Sequence, residues 1–313
     1  MGPIPNVTLY VGGGDTGLDA NWADASPGER ATIQRQIENT VTELAGLDWN
    51  VCILAFLHVH ARTLPMELFF NGTPFGKLYP GLGQQLARLK ASGKRLLISI
   101  GGWYNACDFS GIQTAGVAEF LARMRQQVIT PLGLDGIDLD LEPTPDDQYY
   151  CPPEPDWNDV YQKYSPVLVE LTNQAAAAGL LVTHAPALYM RPGFYTDRGG
   201  ILDRTSLRPK GNNIAWLNFQ TYDKGEQLPE RYEAFVDAIE TGYTGIANPA
   251  GFVSAGFGIA DDLYDDPEVA RQAIQQLRAK YGGINGGFVW RYTSDRAQIA
   301  QWATALSQAL GPG

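Results

Sequence analysis

Basic residues are scarce in this chain. Its 23 lysines and arginines face 34 aspartates and glutamates, a net charge of −11. A surface of that sign repels phosphate backbones and anionic lipid headgroups, which argues against nucleic-acid and membrane partners. Long apolar runs are missing too: none reaches the roughly 18 residues needed to span a bilayer. The opening MGPIPNVTLY has neither a basic segment nor an apolar stretch, so it does not read as a secretory signal, although a processed secreted protein would look the same. Three cysteines are too few for a disulfide framework. Cys52 lies in the apolar run NVCILAFLHVH and reads as a small buried hydrophobe. Cys107 and Cys151 fall in loops after strand-like segments, and whether they are bridged stays open. None of the three has metal-ligand spacing. Polar low-complexity tracts are absent, and 44% of the 313 residues are hydrophobic. That is enough for two ordinary domains or one large α/β barrel.

What is present is alternation. Apolar, β-branched runs begin near residues 6, 50, 94, 134, 180, 214, 250 and 286, and helical-period segments follow them. The first helix shows its start plainly, with Ser26 as N-cap, Pro27 at the first position and Glu29 completing a capping box. TAGVAEFLARMRQQVITPLG reads as one helix, and the stretch after strand five reads as irregular with a short helix. Near-continuous apolar strands alternating with helices predict a parallel sheet covered by helices. Eight such units, without a composition break, predict a single-domain (β/α)₈ TIM barrel over residues 1–313. In such a barrel the strand C-terminal ends build the site. The glycine-rich first turn, VGGGDTG, lacks the spacing and the lysine of a phosphate loop.

The fourth strand, LDGIDLDLEP, carries four acids. Alternation puts Asp138, Asp140 and Glu142 on one face and Ile137, Leu139 and Leu141 on the other, so the acids point into the barrel. Asp135 has the opposite parity, at the strand's start, and reads as structural. Neighbouring acids in the row are about 6–7 Å apart at Cα from strand rise. Three inward carboxylates cannot all ionise freely, so burial and repulsion should raise at least one pKa. Three readings compete: a solvated acidic edge, a divalent-metal site, and glycoside hydrolysis by a carboxyl kept protonated near neutrality. Aromatic residues at strand ends (Tyr10, Phe56, Trp103, Tyr222, Trp290 and Tyr292) suit sugar faces, and also suit ordinary packing.

DGIDLDLE matches DxxDxDxE, the signature of glycoside hydrolase family 18, which contains chitinases and endo-β-N-acetylglucosaminidases. LLISIGG resembles that family's SxGG motif through Ser99, Gly101 and Gly102. QTYD resembles its strand-six motif, and GGFVWRY its strand-eight ending. LYVGGG and LAFLH look like the first two strands of its compact plant- and fungal-type members. The connection between strands seven and eight is too short for the α+β insertion of many processive bacterial chitinases, which implies a shallower groove.

The resemblance implies substrate-assisted catalysis, an exception to the two-carboxylate scheme. Glu142 would be the general acid and then the general base. Asp140 would orient the substrate's 2-acetamido group, and Asp138 would tune Asp140 through a shared proton. Tyr222 would hydrogen-bond the acetamide carbonyl, and Asp223 would position the sugar. Trp290 would floor the sugar subsite, with Tyr10, Phe56 and Gln220 as walls and Gly102 beside them. No metal or organic cofactor is implied. The expected partner is chitin, a chitooligosaccharide or another N-acetylglucosamine-containing glycan, bound by a monomer acting outside the cell. Two alternatives stand beside a chitinase: the same chemistry on the chitobiose core of N-glycans, and a chitinase-like lectin or xylanase inhibitor. Loops after strands one, two and four, including DDQYYCPPEPDW, would decide between the first two. For the histidines, His58 and His60 invite a metal reading at i,i+2, but a rim hydrogen-bonding role is preferred for them. His184 is expected to line the site or bond an acid.

Overall fold

A sheet with two apolar faces needs cover on both, and this chain supplies it by closing the sheet on itself. The computed structural model describes residues 4–60, 66–103, 105–143, 156–208, 211–222 and 227–311. The barrel strands are β1 (Asn6–Val11), β2 (Val51–His60), β3 (Arg95–Gly101), β4 (Gly136–Asp140), β5 (Leu181–His184), β6 (Trp216–Phe219), β7 (Val253–Gly258) and β8 (Gly286–Trp290). Each pairs in parallel with its neighbour, and β1 pairs with both β2 and β8, so no barrel edge is left open. This is the expected (β/α)₈ barrel.

Outside it lie α1 (Pro27–Gly46), α2 (Leu82–Ala91), α3 (Cys107–Ala115), α4 (Val117–Met124), α5 (Trp157–Ala177), α6 (Leu228–Thr241), α7 (Pro267–Tyr281) and α8 (Arg296–Leu310). The capping box of α1 forms as expected: Glu29 N–H donates to Ser26 Oγ and Ser26 N–H to Glu29 Oε2. The segment expected as one helix is broken. Gly116, at φ 89°, ends α3, whose start at Cys107 was not foreseen, and α4 begins afresh after it. Two short helices, Gly193–Thr196 and Ile201–Arg204, fill the segment after β5. Between β7 and β8 the chain forms turns and α7, with no added subdomain. Among the described residues no helix is long and apolar enough to cross a membrane.

Strand alternation divides the core in two. Outward residues such as Leu54, Ile98, Ile137, Leu139 and Leu217 pack beneath the helices. Inward ones (Tyr10, Val51, Ile53, Leu97, Trp216 and Phe288) fill the barrel. Asp135 has its expected structural role, accepting from Leu96 N–H at 2.8 Å and from Lys90 Nζ at 2.7 Å.

One excursion was not legible. After β2, Glu67–Phe70 folds back antiparallel on the strand's end and turns into Thr73–Pro74. Its turn residue, Asn71, has φ 48° and leads into Gly72 at φ 121°. Asparagine and glycine tolerate this left-handed region best.

Candidate active site

Asp138 is fully buried inside the barrel. Four strands supply its hydrogen-bond donors: Tyr10 Oη from β1 at 3.0 Å, Ser99 Oγ from β3 at 2.7 Å, Thr183 Oγ1 from β5 at 2.5 Å and Asn218 Nδ2 from β6 at 3.3 Å. Burial raises its pKa, and the four donors pull against that rise by stabilising the anion.

One step toward the strand's end, Asp140 is 4% exposed. Its Oδ1 accepts from Gln220 Nε2 at 2.7 Å, and the same amide donates to Ala185 O at 3.0 Å and reaches Glu142 Oε1 at 3.5 Å. Gln220 thus bridges the two carboxyls of Asp140 and Glu142. Burial raises both carboxyls, Glu142 to about 7, and the charges of Glu142 and Asp138 push Asp140 up further. Neighbouring carboxyls whose charges oppose one another titrate as a pair. Glu142 and Asp138 both raise Asp140, and Asp138 is held by its four donors. Burial of Asp138 and Asp140 also removes the solvated-edge reading of this row.

Above the pair opens a cavity of about 730 Å³, with Asp140, Glu142, Gln220, Tyr222, Phe56 and Trp290 around its base. A register shift between Leu54 and Leu57 turns both Ala55 and Phe56 inward. Phe56 thereby stacks on Trp290, with centroids 5.2 Å apart and planes at 26°. The Ala55–Phe56 and Trp290–Arg291 peptide bonds are both cis. Gly102 sits against this pair: its N–H donates to Asp140 O at 2.8 Å, and a Cβ on it would meet the Phe56 ring at 2.5 Å. With φ at +87° as well, only glycine suits the position. Burial and the neighbouring carboxylates raise the Tyr222 pKa, keeping its hydroxyl protonated as a donor.

Several expectations change. Tyr10 is 1% exposed and does not wall the cavity; it supports Trp290 edge-on from below at 5.7 Å while donating to Asp138. Tyr292 turns away into the outer core, where its hydroxyl donates to Glu43 Oε2 at 3.0 Å. His184 does not reach the site. Thr183 takes the inward position on β5, and His184 lies under the helices, bonded to Thr172 Oγ1 at 2.8 Å and Tyr195 Oη at 3.1 Å. Burial drives its pKa down to about 3, so the ring is neutral. His58 bonds Asp108 through Nδ1 at 2.8 Å, in keeping with a hydrogen-bonding role. Among the described residues no group of three or more His, Cys, Asp or Glu side chains is arranged to hold a metal. Cys52 is buried and free, with its thiol pushed up to about 12 by burial. Cys107 is disulfide-bonded. Asp223, Cys151 and the His60 side chain lie outside the described residues.

Sequence reasoning missed three features. Trp157, at the start of α5, and Tyr189, beyond β5, continue from Trp103 as a row of rings with centroids 5.8 and 6.2 Å apart. Trp103 and Tyr189 are 46% and 66% exposed, large values for rings lining a cavity. Trp157 closes the aromatic stretch DDQYYCPPEPDW, and that was its one signal. Asp261, which accepts from Trp290 Nε1 at 2.9 Å, and Asn71, which brackets Phe56, gave none.

Solved structures share this architecture. A family 18 chitinase from Pseudoalteromonas aurantia superposes with a TM-score of 0.67, covering 97% of this chain and 100% of its own at 16% identity. A chitinase from Bacteroides thetaiotaomicron gives 0.59, with 98% and 96% covered at 12% identity. The fold is that of glycoside hydrolase family 18. A tamarind chitinase-like lectin has it too, at 0.54, with 97% and 99% covered and 12% identity. No family model and no curated protein matches the sequence. Between a hydrolase and a lectin on this shared barrel, the local chemistry has to decide.

Proposed function

We propose that the chain is a retaining glycoside hydrolase that cleaves β-1,4 linkages after N-acetylglucosamine in chitin or chitooligosaccharides, with the substrate's own acetamide as nucleophile. The observation that carries this reading is the Asp140–Glu142 pair: the Gln220 amide bridges the two acids beneath an aromatic cavity, and burial raises both, Glu142 to about 7. Carboxyls raised by burial and a neighbouring acid concentrate at catalytic sites.

Glu142 gives its proton to the glycosidic oxygen as the bond to C1 breaks. The acetamide oxygen attacks C1 from the opposite face and closes an oxazolinium ring. Asp140 accepts from the acetamide N–H and balances the positive charge that develops there. Tyr222 donates to the acetamide oxygen, and Trp290 lies under the sugar. Water, deprotonated by Glu142, then attacks C1, reopens the ring and leaves the β configuration.

The position of Asp140 favours this route over a protein nucleophile. Two-carboxylate enzymes hold their acids across the sugar, about 5–9 Å apart. Here the second acid lies beside the first, the two bridged by the Gln220 amide at 2.7 and 3.5 Å. Two further acids line the cavity: Asp261 is engaged by Trp290 and Arg291, and Asp262 accepts from Tyr264 Oη at 3.3 Å. We further propose that the enzyme acts outside the cell, where a chitin polymer would be met.

The test is product analysis by mass after incubation with chitotetraose and, separately, a high-mannose glycoprotein, using the parent and Glu142→Gln. We expect cut chitotetraose from the parent and a loss of about 10²-fold or more in the variant. Cleavage of the glycoprotein alone would move the substrate to N-glycans. Tight binding without cleavage would make the protein a lectin.

A further inference from the structure

The loop after β7 holds Trp290 in a way that its surface position does not require. Asp261 Oδ2 accepts from the Trp290 indole N–H at 2.9 Å and from Arg291 Nε at 3.2 Å, and Oδ1 accepts from Arg291 Nη2 at 3.2 Å. Arg291 also donates through Nη1 to Gly12 O at 3.2 Å, beyond the end of β1. One carboxylate thus joins the ring, the residue that follows it in the chain and, through that residue, a third loop.

The loop itself is built to present that carboxylate. Asp265 N–H donates to Gly258 O at 2.9 Å, and Gly258 N–H donates to Asp265 Oδ2 at 2.8 Å, closing the loop at its base. Ile259 N–H donates to Trp290 O at 2.7 Å, so backbone and indole are both held. Asp261 and Asp262 stand in succession in the left-handed region, at φ 58° and 66°. Such a pair of non-glycine residues is unfavourable unless the surrounding structure compels it. Surface packing gives no reason for it, since the Asp261 side chain is 53% exposed.

We infer that Asp261 is a positioning residue: it sets the plane of the Trp290 indole against Phe56 and so fixes the floor on which the reacting sugar lies. The inference rests on the glycosidase reading of the cavity. Without the carboxylate the ring is free to turn about its side-chain bonds, and a sugar that lands on it must then restrict that motion.

The test compares Asp261→Asn, Asp261→Ala and Asp261→Gly. Asparagine keeps an acceptor for the indole and tolerates the backbone. Alanine removes the acceptor and keeps the strain, whereas glycine removes both. Two readouts apply: the ¹H–¹⁵N indole resonance of Trp290 in the free protein, assigned with Trp290→Phe, and chitotetraose affinity in a Glu142→Gln background. We expect the alanine and glycine variants to shift the Trp290 resonance alike and to weaken binding about three- to tenfold, with a matching rise in KM in the active background. Asparagine should stay close to the parent in both.

If glycine restores parental binding and resonance, the residue matters only for the loop's backbone and the inference fails. An unmoved resonance with unchanged affinity in all three variants also overturns it. Should the parent itself not bind chitotetraose, the glycosidase reading falls, and the resonance still decides whether Asp261 holds the ring.

Discussion

Asn71 grips Phe56 on both sides of its backbone. Phe56 N–H donates to Asn71 Oδ1 at 2.9 Å, Asn71 N–H donates to Phe56 O at 3.0 Å, and Asn71 Nδ2 donates to Ala55 O at 3.0 Å and to Asp19 Oδ2 at 2.8 Å. The shift in register that brings Phe56 under the cavity leaves its neighbouring peptide groups without regular ladder partners, and this one side chain satisfies them. Asn71→Ala removes three of these four bonds and places alanine at φ 48°. We expect a loss of about 2–3 kcal/mol in stability, measured by urea unfolding, with a lower kcat/KM for chitotetraose. Unchanged stability would mean that water replaces the amide fully.

The pH dependence of cleavage follows from Glu142. A general acid must carry its proton, and burial lifts this carboxyl from 4.5 to about 7. Activity should therefore persist through mildly acidic pH and fall on the alkaline side with an apparent pKa near 7. A kcat/KM profile measures it. Because the charges of Asp140 and Glu142 oppose one another, the alkaline limb belongs to the pair, and Asp140→Asn should move it.

The same shift acts on stability. A carboxyl whose pKa is raised on folding favours the native state while it is protonated, and that contribution is lost as pH rises from the unfolded value toward the folded one. For Glu142 the window runs from about 4.5 to about 7. Between pH 4.5 and 8, Glu142→Gln should gain on the parent by on the order of 2–3 kcal/mol. Parallel urea titrations at the two pH values give the difference. An equal response to pH in both proteins would show that Glu142 is not perturbed.

Much of this site was legible because strands alternate strictly. The inward row of acids and the outward Ile137 and Leu139 follow from a period of two in an apolar sheet, while Gly101 and Gly102 are marked only by the resemblance to the SxGG motif. Alternation turns His184 outward beside inward Thr183, against its polar identity. Tyr292 shares the inward parity of Phe288 and Trp290 and leaves it because the strand ends at Trp290. In β5 the inward place belongs to Thr183, and the imidazole finds its partners in Thr172 and Tyr195 across the outer layer. The braces behind the aromatic floor had no sequence signal. Asn71 and Asp261 act through turn geometry and contacts 15 and 29 residues away along the chain, and neither spacing nor composition encodes such contacts. Gly116 ended a helix that periodicity carried straight through, since a lone glycine lowers helix propensity without marking which residue takes the left-handed turn.

The central claim is that the substrate supplies the nucleophile and Glu142 the proton, and the configuration of the first product tests it most directly. Chitotetraose hydrolysis followed by ¹H NMR in the first minutes, before mutarotation, should show the β-anomer accumulating ahead of the α, with no such signal from Glu142→Gln. An α-anomer formed first, or equal turnover by the glutamine variant, would contradict the account.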